Sequence, residues 1–320
     1  MTTFPRPFRP TFSLQSPVLG DGDDPLGLVR RAEALGLDAF LAADHPGVSP
    51  SPFPTLAAAA VASSGGRLRV GTYVANAGLR DPVQLAVDVA TLDRLSGGRA
   101  VLGLGAGHTP AEWTAAGTPF PSPADRLARL AETVAVVPRL LAGETVTHHG
   151  RHLRLDRARV EDPRPVQARV PLLIGGGGRG VLRLAGRYAD IVGLTGLGRT
   201  LEDGHRHEAA WAPRHLDAAV ELVRWAADGA GHRSPPALEA LVQHVELTDD
   251  RERAAKRLAK QVPGLTKADA LATPFALIGT PAEIVDHVRT IKRRWGITRY
   301  VVRPPALDAV EAILAQSQLP

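Results

Sequence analysis

The sequence predicts an α/β fold: a closed (β/α)8 TIM barrel with insertions after the fourth and sixth strands, built by residues 1–320 as one domain. Three observations predict it. Strand-like and helix-like segments alternate from end to end, which is how a parallel sheet with crossover helices reads in sequence. Eight such pairs can be counted, the number at which parallel strands close on themselves. A length of 320 residues exceeds the usual domain size but is common for such barrels as one unit.

The first unit is the strand TFSLQ and the helix DPLGLVRRAEALG, in which Leu28, Ala32 and Leu35 recur at helical spacing and Gly36 ends the turn. DAFLAAD is strand two, and FPTLAAAAVASS is its helix. LRVGTYVAN is strand three; the helix DPVQLAVDVATLDRLSGG has proline just inside its start and glycines past its end. Strand four, RAVLGLGAG, leads to PADRLARLAETVAVVPRLLAG, a long helix that Pro138 is expected to kink or end. ETVTHHGRHLRL reads as a small hairpin. Strand five opens VPLLIGGGGRGVLRLAG, residues 170–186, which passes through four glycines into a helix. ADIVGLTG is strand six. Residues 197–236 form a polar insertion around the helix PRHLDAAVELVRWAADG. LEALVQHVELT is strand seven, followed by helices over 249–262 and 280–294. TRYVVRP is strand eight, and the last helix carries Leu307, Val310, Ile313 and Leu314.

Hydrophobic residues at 44% and charged residues at 22% describe an ordinary globular chain. The N-terminal MTTFPRPFRPTF has two arginines and no apolar run, and no later stretch approaches a membrane span, so a cytoplasmic protein with no membrane partner is expected. The absence of cysteine excludes disulfides, thiolate metal sites and a cysteine nucleophile, and leaves redox chemistry to a cofactor. The net charge is +5, but the arginines are spread singly and aromatics are only 4%, which argues against nucleic acid. A basic surface still gathers polyanionic ligands by steering.

In such a barrel the binding and catalytic groups sit where strands end and βα loops begin. That rule selects Gln15 after strand one, Asp44 and His45 after strand two, Asn76 after strand three, Gly107 and His108 after strand four, Gly175 to Gly178 after strand five, and Thr195 after strand six. The four glycines expose backbone N–H groups at a helix start, where the dipole adds partial positive charge and an anion fits. A tight strand-to-helix turn is the plainer reading. Gly175, Gly177 and Gly180, with Asp190 downstream, satisfy the dinucleotide pattern G-x-G-x-x-G, but that fingerprint belongs to an early unit of an open sheet, not to the fifth unit of eight.

His45 follows an aspartate at a strand mouth; it is either a proton carrier near neutral pH or a structural histidine satisfied by a neighbouring carboxylate. His108 follows GLGAG, whose small residues let a flat ring lie against the strand end, or it is a surface-loop histidine. His148, His149, His152, His205, His207 and His215 read as solvated loop residues, since their spacing alone gives no convergent set, and no metal site is expected. No G-x-S-x-G elbow or phosphate-binding G-x-x-x-x-G-K-[ST] loop occurs, against hydrolase and NTPase readings.

Taken together and in order, RRAEALGLDAFLAADH, RVGTYVANAGLRDPVQLAVDVATLDRLSGGRAVLGLGAGH, PLLIGGGG, ADIVGL and LIGTPAEIVDHV carry a resemblance that covers nearly the whole chain. The chain resembles the bacterial-luciferase-like monooxygenase superfamily and, within it, the actinobacterial oxidoreductases of the deazaflavin coenzyme F420. The resemblance implies hydride transfer between that cofactor and a small organic substrate. By motif position, Gly177 and Gly178 would face the cofactor phosphate, with Gly175 and Gly176 giving room. Asp44 and His45 match the pair beside the ring, His45 being the first candidate for catalysis and His108 the second. Tyr73-Val74 matches the family's bulge with a non-proline cis peptide against the back of the ring, and Asn76 and Gly107 would line its polar edge. Members are commonly homodimers.

Two positions depart from the group's sugar-phosphate dehydrogenases. His108 stands where they carry an acidic glutamate, and Gly198, followed by Arg199, stands where a basic residue for the sugar phosphate is expected. A glucose 6-phosphate-like substrate is therefore disfavoured, and Gln15, Thr195 and Arg199 are the expected substrate contacts, with loops 108–123 and 197–236 as the substrate wall. Two rivals remain: an FMN-dependent monooxygenase using oxygen and a separate reductase, and a non-catalytic carrier or sensor of the cofactor.

Overall fold

The computed structural model describes residues 9–16, 24–200 and 207–317, apart from the side chains of residues 199 and 200. Its centre is a closed ring of parallel strands: β1 (Thr11–Ser16), β2 (Ala39–Ala42), β3 (Arg69–Thr72), β4 (Ala100–Gly105), β5 (Leu172–Gly175), β6 (Ile191–Leu194), β7 (Ala237–Leu241) and β8 (Arg299–Val302). Each pairs with the next in the chain, and β8 returns to β1 through Thr11↔Arg299 and Phe12↔Tyr300.

The strand period of two divides the side chains between two cores. Phe12, Phe40, Leu102 and Ile174 point outward under the helices. Ala39, Leu41, Tyr73, Val101, Leu173, Ile191, Leu241 and Val301 fill the barrel interior. Below them, at the strand starts, Arg299 donates to Asp38 and to Glu239 Oε2, the latter at 3.1 Å. Apolar packing thus ends in an ion cluster at the bottom, and the opposite end is left for the site.

The helices that cover the ring are α1 (Pro25–Ala34), α2 (Pro52–Ala62), α3 (Pro82–Leu95), α4 (Pro123–Leu141), α5 (Arg179–Tyr188), α6 (Pro213–Asp228), α7 (Pro281–Trp295) and α8 (Leu307–Gln316). Proline stands in the first turn of most of them, where its missing N–H would have no helical partner anyway. A Thr280–Glu283 capping box opens α7, and Gly296 closes it at φ 78°.

The departures from expectation are local. Strand three is not continuous: β3 stops at Thr72, the Tyr73–Val74 peptide is cis, and Ala75–Asn76 resumes pairing beside β4. Strand seven also divides. After β7 the chain turns, and His244–Leu247 leaves the barrel to pair in parallel with Ala276–Gly279, a strand the sequence reading did not separate from the α7 region. Pro138 neither kinks α4 into two elements nor ends it, because it sits one turn before the terminus and costs one backbone bond, while Val134, Val137 and Leu141 around it are buried. The insertion after β4 begins with a short helix, Pro110–Ala115, and a hairpin of Val146–His149 with Arg154–Ala158 follows α4. The insertion after β6 pairs Leu197–Thr200 with His207–Ala209.

Candidate active site

The C-terminal mouth of the barrel opens into a cavity of about 660 Å³. Gln15, Asp44, His45, Tyr73, Val74, Asn76, Gly107, His108, Gly175 to Gly178 and Thr195 all line it, so residues scattered over 180 positions of sequence meet in one place. Arg199 belongs to the strand Leu197–Thr200, but its side chain lies outside the described residues, as does the whole of His205.

The floor is built from small residues. A Cβ on Gly105 would lie 2.4 Å from a Val74 methyl, and one on Gly175 would lie 2.9 Å from the other, so these two glycines are what allow the Val74 side chain to nest between β4 and β5. Gln15 Nε2 donates to Tyr73 O at 2.7 Å and holds the bulge from β1. Thus Gln15 supports the floor, a role distinct from the expected substrate contact. Gly107 takes φ 73° against the Asn76 amide, where a Cβ would fall 2.4 Å from Oδ1.

The β5 glycines open on the same cavity. Gly176 N–H is bonded to Gly193 O at 3.0 Å and continues the sheet. Gly178 is the N-cap of α5 and no side chain caps that helix, so the N–H groups of the first turn have no partner among the described residues. A Cβ on Gly178 would meet nothing within 4 Å. An anion there gains unpaired donors and the positive end of the helix dipole. Arg126 of α4 reaches the cavity, and its partners among the described residues are Pro121 O and, at 4.2 Å, the Phe120 ring.

Around His45 the polar groups form a closed network. His45 Nδ1 lies 2.6 Å from Glu112 Oε1, and Glu112 is 3% exposed. The Asn76 amide donates to Glu112 Oε2 at 3.4 Å, and its backbone N–H donates to Asp44 Oδ2 at 2.9 Å. Arg80 clamps Asp44 with two bonds, Nε to Oδ2 at 2.6 Å and Nη2 to Oδ1 at 2.8 Å. Asp44 therefore ties β2 to the β3 bulge. Glu112 raises the His45 pKa above its ordinary value, first through the hydrogen bond and then through its charge. With Nδ1 engaged, Nε2 is the ring nitrogen left to act.

Glu112 and Arg80 escaped the sequence reading. Thr109-x-x-Glu112 has the spacing of a helix capping box, a signal that assigns the glutamate to its own helix. In the structure Thr109 makes no capping bond, and Glu112 is spent on His45 instead.

His108 stands beside His45 with ring centroids 5.9 Å apart and beside His207 at 5.1 Å. The cavity walls, then the two neighbouring imidazoles, push its pKa down to about 4. It is neutral at pH 7. Its ring still meets water in the open cavity. Among the described residues, no group of three or more His, Asp or Glu side chains is placed to hold a metal ion, and no helix is long and apolar enough to cross a membrane.

Fold and site together define a (β/α)8-barrel protein whose mouth offers a glycine-lined floor, an uncapped helix start and a carboxylate-backed histidine. The chain belongs to the luciferase-like monooxygenase family, whose sequence pattern matches residues 9–299. It is 39% identical over 168 residues to the F420-dependent glucose-6-phosphate dehydrogenase of Kineococcus radiotolerans, a match covering 50% of this chain and 48% of that protein. It is 30% identical over 290 residues to the protein of the same name from Microbacterium testaceum, covering 80% of each. For several of these relatives the match spans only about half of their length. The fold is shared with the coenzyme F420-dependent tetrahydromethanopterin reductase of Methanopyrus kandleri, at TM-score 0.74 and 21% identity over 96% of this chain and 98% of that one.

Proposed function

We propose that this chain is a coenzyme F420-dependent oxidoreductase of one cytoplasmic domain, acting on a small organic substrate. The His45–Glu112 pair, set beside a floor fit for a flat ring and a cradle fit for its phosphate, carries this reading. The family membership and the names of the relatives support it.

The residues present fit the cofactor. Side chains that would obstruct a tricyclic ring are absent from Gly105, Gly107 and Gly175, and Gly178 leaves its main chain open to a phosphate. Gly175 and Gly176 would give room and Gly177 and Gly178 would donate to the cofactor phosphate, with Arg126 lining the same cavity. When bound, the deazaflavin supplies a carbon centre that gives or accepts hydride.

The chain's own work is orientation and proton transfer. Removing hydride from a substrate carbinol carbon must be matched by removing the hydroxyl proton, and His45 Nε2 is the base placed to take it. In the reverse direction it returns that proton. Glu112 orients the imidazole and stabilises its charged form, as a buried carboxylate behind a histidine does. His108, its pKa pushed down to about 4 by the cavity walls and the neighbouring imidazoles, lines the substrate wall as a neutral ring that offers a hydrogen bond.

Glucose 6-phosphate is a poor fit for this wall. Gly198 and a neutral His108 stand where a phosphate-binding cation and an acid are called for in the relatives' chemistry. The deciding experiment is fluorescence titration of the purified chain with F420 and with FMN. Tight binding of F420, with FMN weaker by tenfold or more, is expected. Preference for FMN overturns the cofactor in favour of a flavin monooxygenase. Cofactor binding without turnover of any alcohol, aldehyde, enone or hydroxy acid makes the chain a carrier.

A further inference from the structure

We propose that the substrate carries a single carboxylate, held by Arg303, which Gln243 positions where β7 and β8 end at the cavity. The inference deepens the reading above and rests on it.

The charges lining the mouth do not balance. Asp44 is matched by Arg80, and Glu112 is engaged by His45 and Asn76. Lower in the barrel, Arg299 is matched by Asp38 and Glu239. Among the described residues no carboxylate is paired with Arg303. Its Nη1 donates to the neutral Gln243 Oε1 at 3.3 Å, and among the described residues its other N–H groups have no partner. Desolvation lowers its pKa, opposed by the Tyr73 phenol and by no carboxylate among the described residues, yet a guanidinium stays charged. A half-buried cation facing a cavity with only a neutral neighbour is stabilised by an incoming anion.

The place is also organised. Gln243 Nε2 donates to Thr195 O at 3.0 Å, which fixes the amide and aims its oxygen at Arg303. The guanidinium is thereby steadied on one side and left open on the other, in the fork geometry that suits a carboxylate. Arg126 is not a competitor for this role. It belongs to α4, donates to Pro121 O and lies over the Phe120 ring, with its charge acting on His108.

Charge matching selects the carboxylate over a phosphate monoester. One cation balances one negative charge, whereas a phosphate monoester carries about −1.5 to −2 at neutral pH. His108 is neutral and supplies no second charge. In a hydroxy acid bound this way the carboxylate is unchanged. The carbinol carbon would give up a hydride to the oxidised cofactor and the hydroxyl its proton to His45, leaving a C=O bond.

The test has two arms. The first measures F420 affinity by fluorescence for wild type and Arg303→Gln; a wild type that does not bind F420 refutes the proposed function, not the charge argument. The second uses calorimetric titration of the F420-loaded protein with C3–C8 hydroxy acids, their methyl esters and glucose 6-phosphate. The expected result is that at least one acid binds about tenfold or more tightly than its ester, that Arg303→Gln removes the difference and Arg303→Lys restores part of it, with F420 affinity unchanged. Esters binding as well as acids, no acid binding, glucose 6-phosphate binding more tightly than any acid, or equal loss of F420 affinity in Arg303→Gln would each overturn it.

Discussion

Nδ1 of His45 lies 2.6 Å from Oε1 of Glu112, joining the loop after β2 to the short helix after β4 across 67 positions of sequence. The contact fixes which imidazole nitrogen faces the cavity and biases the ring toward its charged form.

His45→Ala removes the proton partner but none of the cradle. Turnover should fall about 100-fold or more while F420 affinity stays within twofold, as expected for loss of an acid–base group. Steady-state kinetics and fluorescence titration check it; unchanged turnover would refute the role.

Glu112→Gln keeps the shape and removes the charge. An amide does not stabilise imidazolium as a carboxylate does, so the His45 pKa falls from its raised position. The limb of the kcat/KM profile that reports His45 should move to lower pH. A limb that stays in place shows that Glu112 is not what sets this titration.

Gly178→Val separates binding from folding. Gly178 sits at φ −71° and ψ 140°, ordinary for any L residue, and its added side chain meets open space. Stability should fall by about 1 kcal/mol, since valine is a poorer N-cap than glycine, whereas F420 affinity should drop by about tenfold or more. Thermal melts and cofactor titration measure the two; an undisturbed affinity would move the phosphate away from α5.

Arg80→Met strands a carboxylate. Asp44 is 5% exposed and would keep only the Asn76 N–H among its present partners. Denaturant unfolding should show a loss of about 3 to 5 kcal/mol, the usual cost of breaking a buried pair on one side.

Glu239 predicts a pH dependence of stability far from the mouth. Burial, opposed by Arg299, raises its pKa from 4.5 to about 7. The folded state therefore holds this proton after the unfolded chain has lost it, and stability falls as pH rises between those two values. The loss is at most about 3 kcal/mol. Glu239→Gln should flatten the slope in that window, as measured by unfolding at pH 4.5, 6 and 7.5.

Much of this was legible in the chain. Strand and helix periods recur in the right order, so the barrel and its mouth residues follow from local pattern and the strand-end rule. The glycines after β5 and the Asp44–His45 pair were found because turn chemistry and strand ends leave marks in a few adjacent residues. Strand three and strand seven were read too long because Tyr73-Val74 and Val242-Gln243 are as β-prone as their neighbours; what divides them is the bulge and the competing partner Ala276–Gly279. Gln15 was placed at the mouth correctly, but its bond to Tyr73 O could not be foreseen from either residue.

The sequence by itself determined the closed barrel, the bare backbone at the start of α5 and a histidine at the end of β2, because periodicity, glycine and strand ends act over a few residues. Tertiary structure alone decided that Glu112 serves His45, that Arg80 is spent on Asp44 and that Arg303 is set against the neutral Gln243. Charges pair through space, and which ones meet is fixed only when the ring closes and brings distant loops within hydrogen-bond reach.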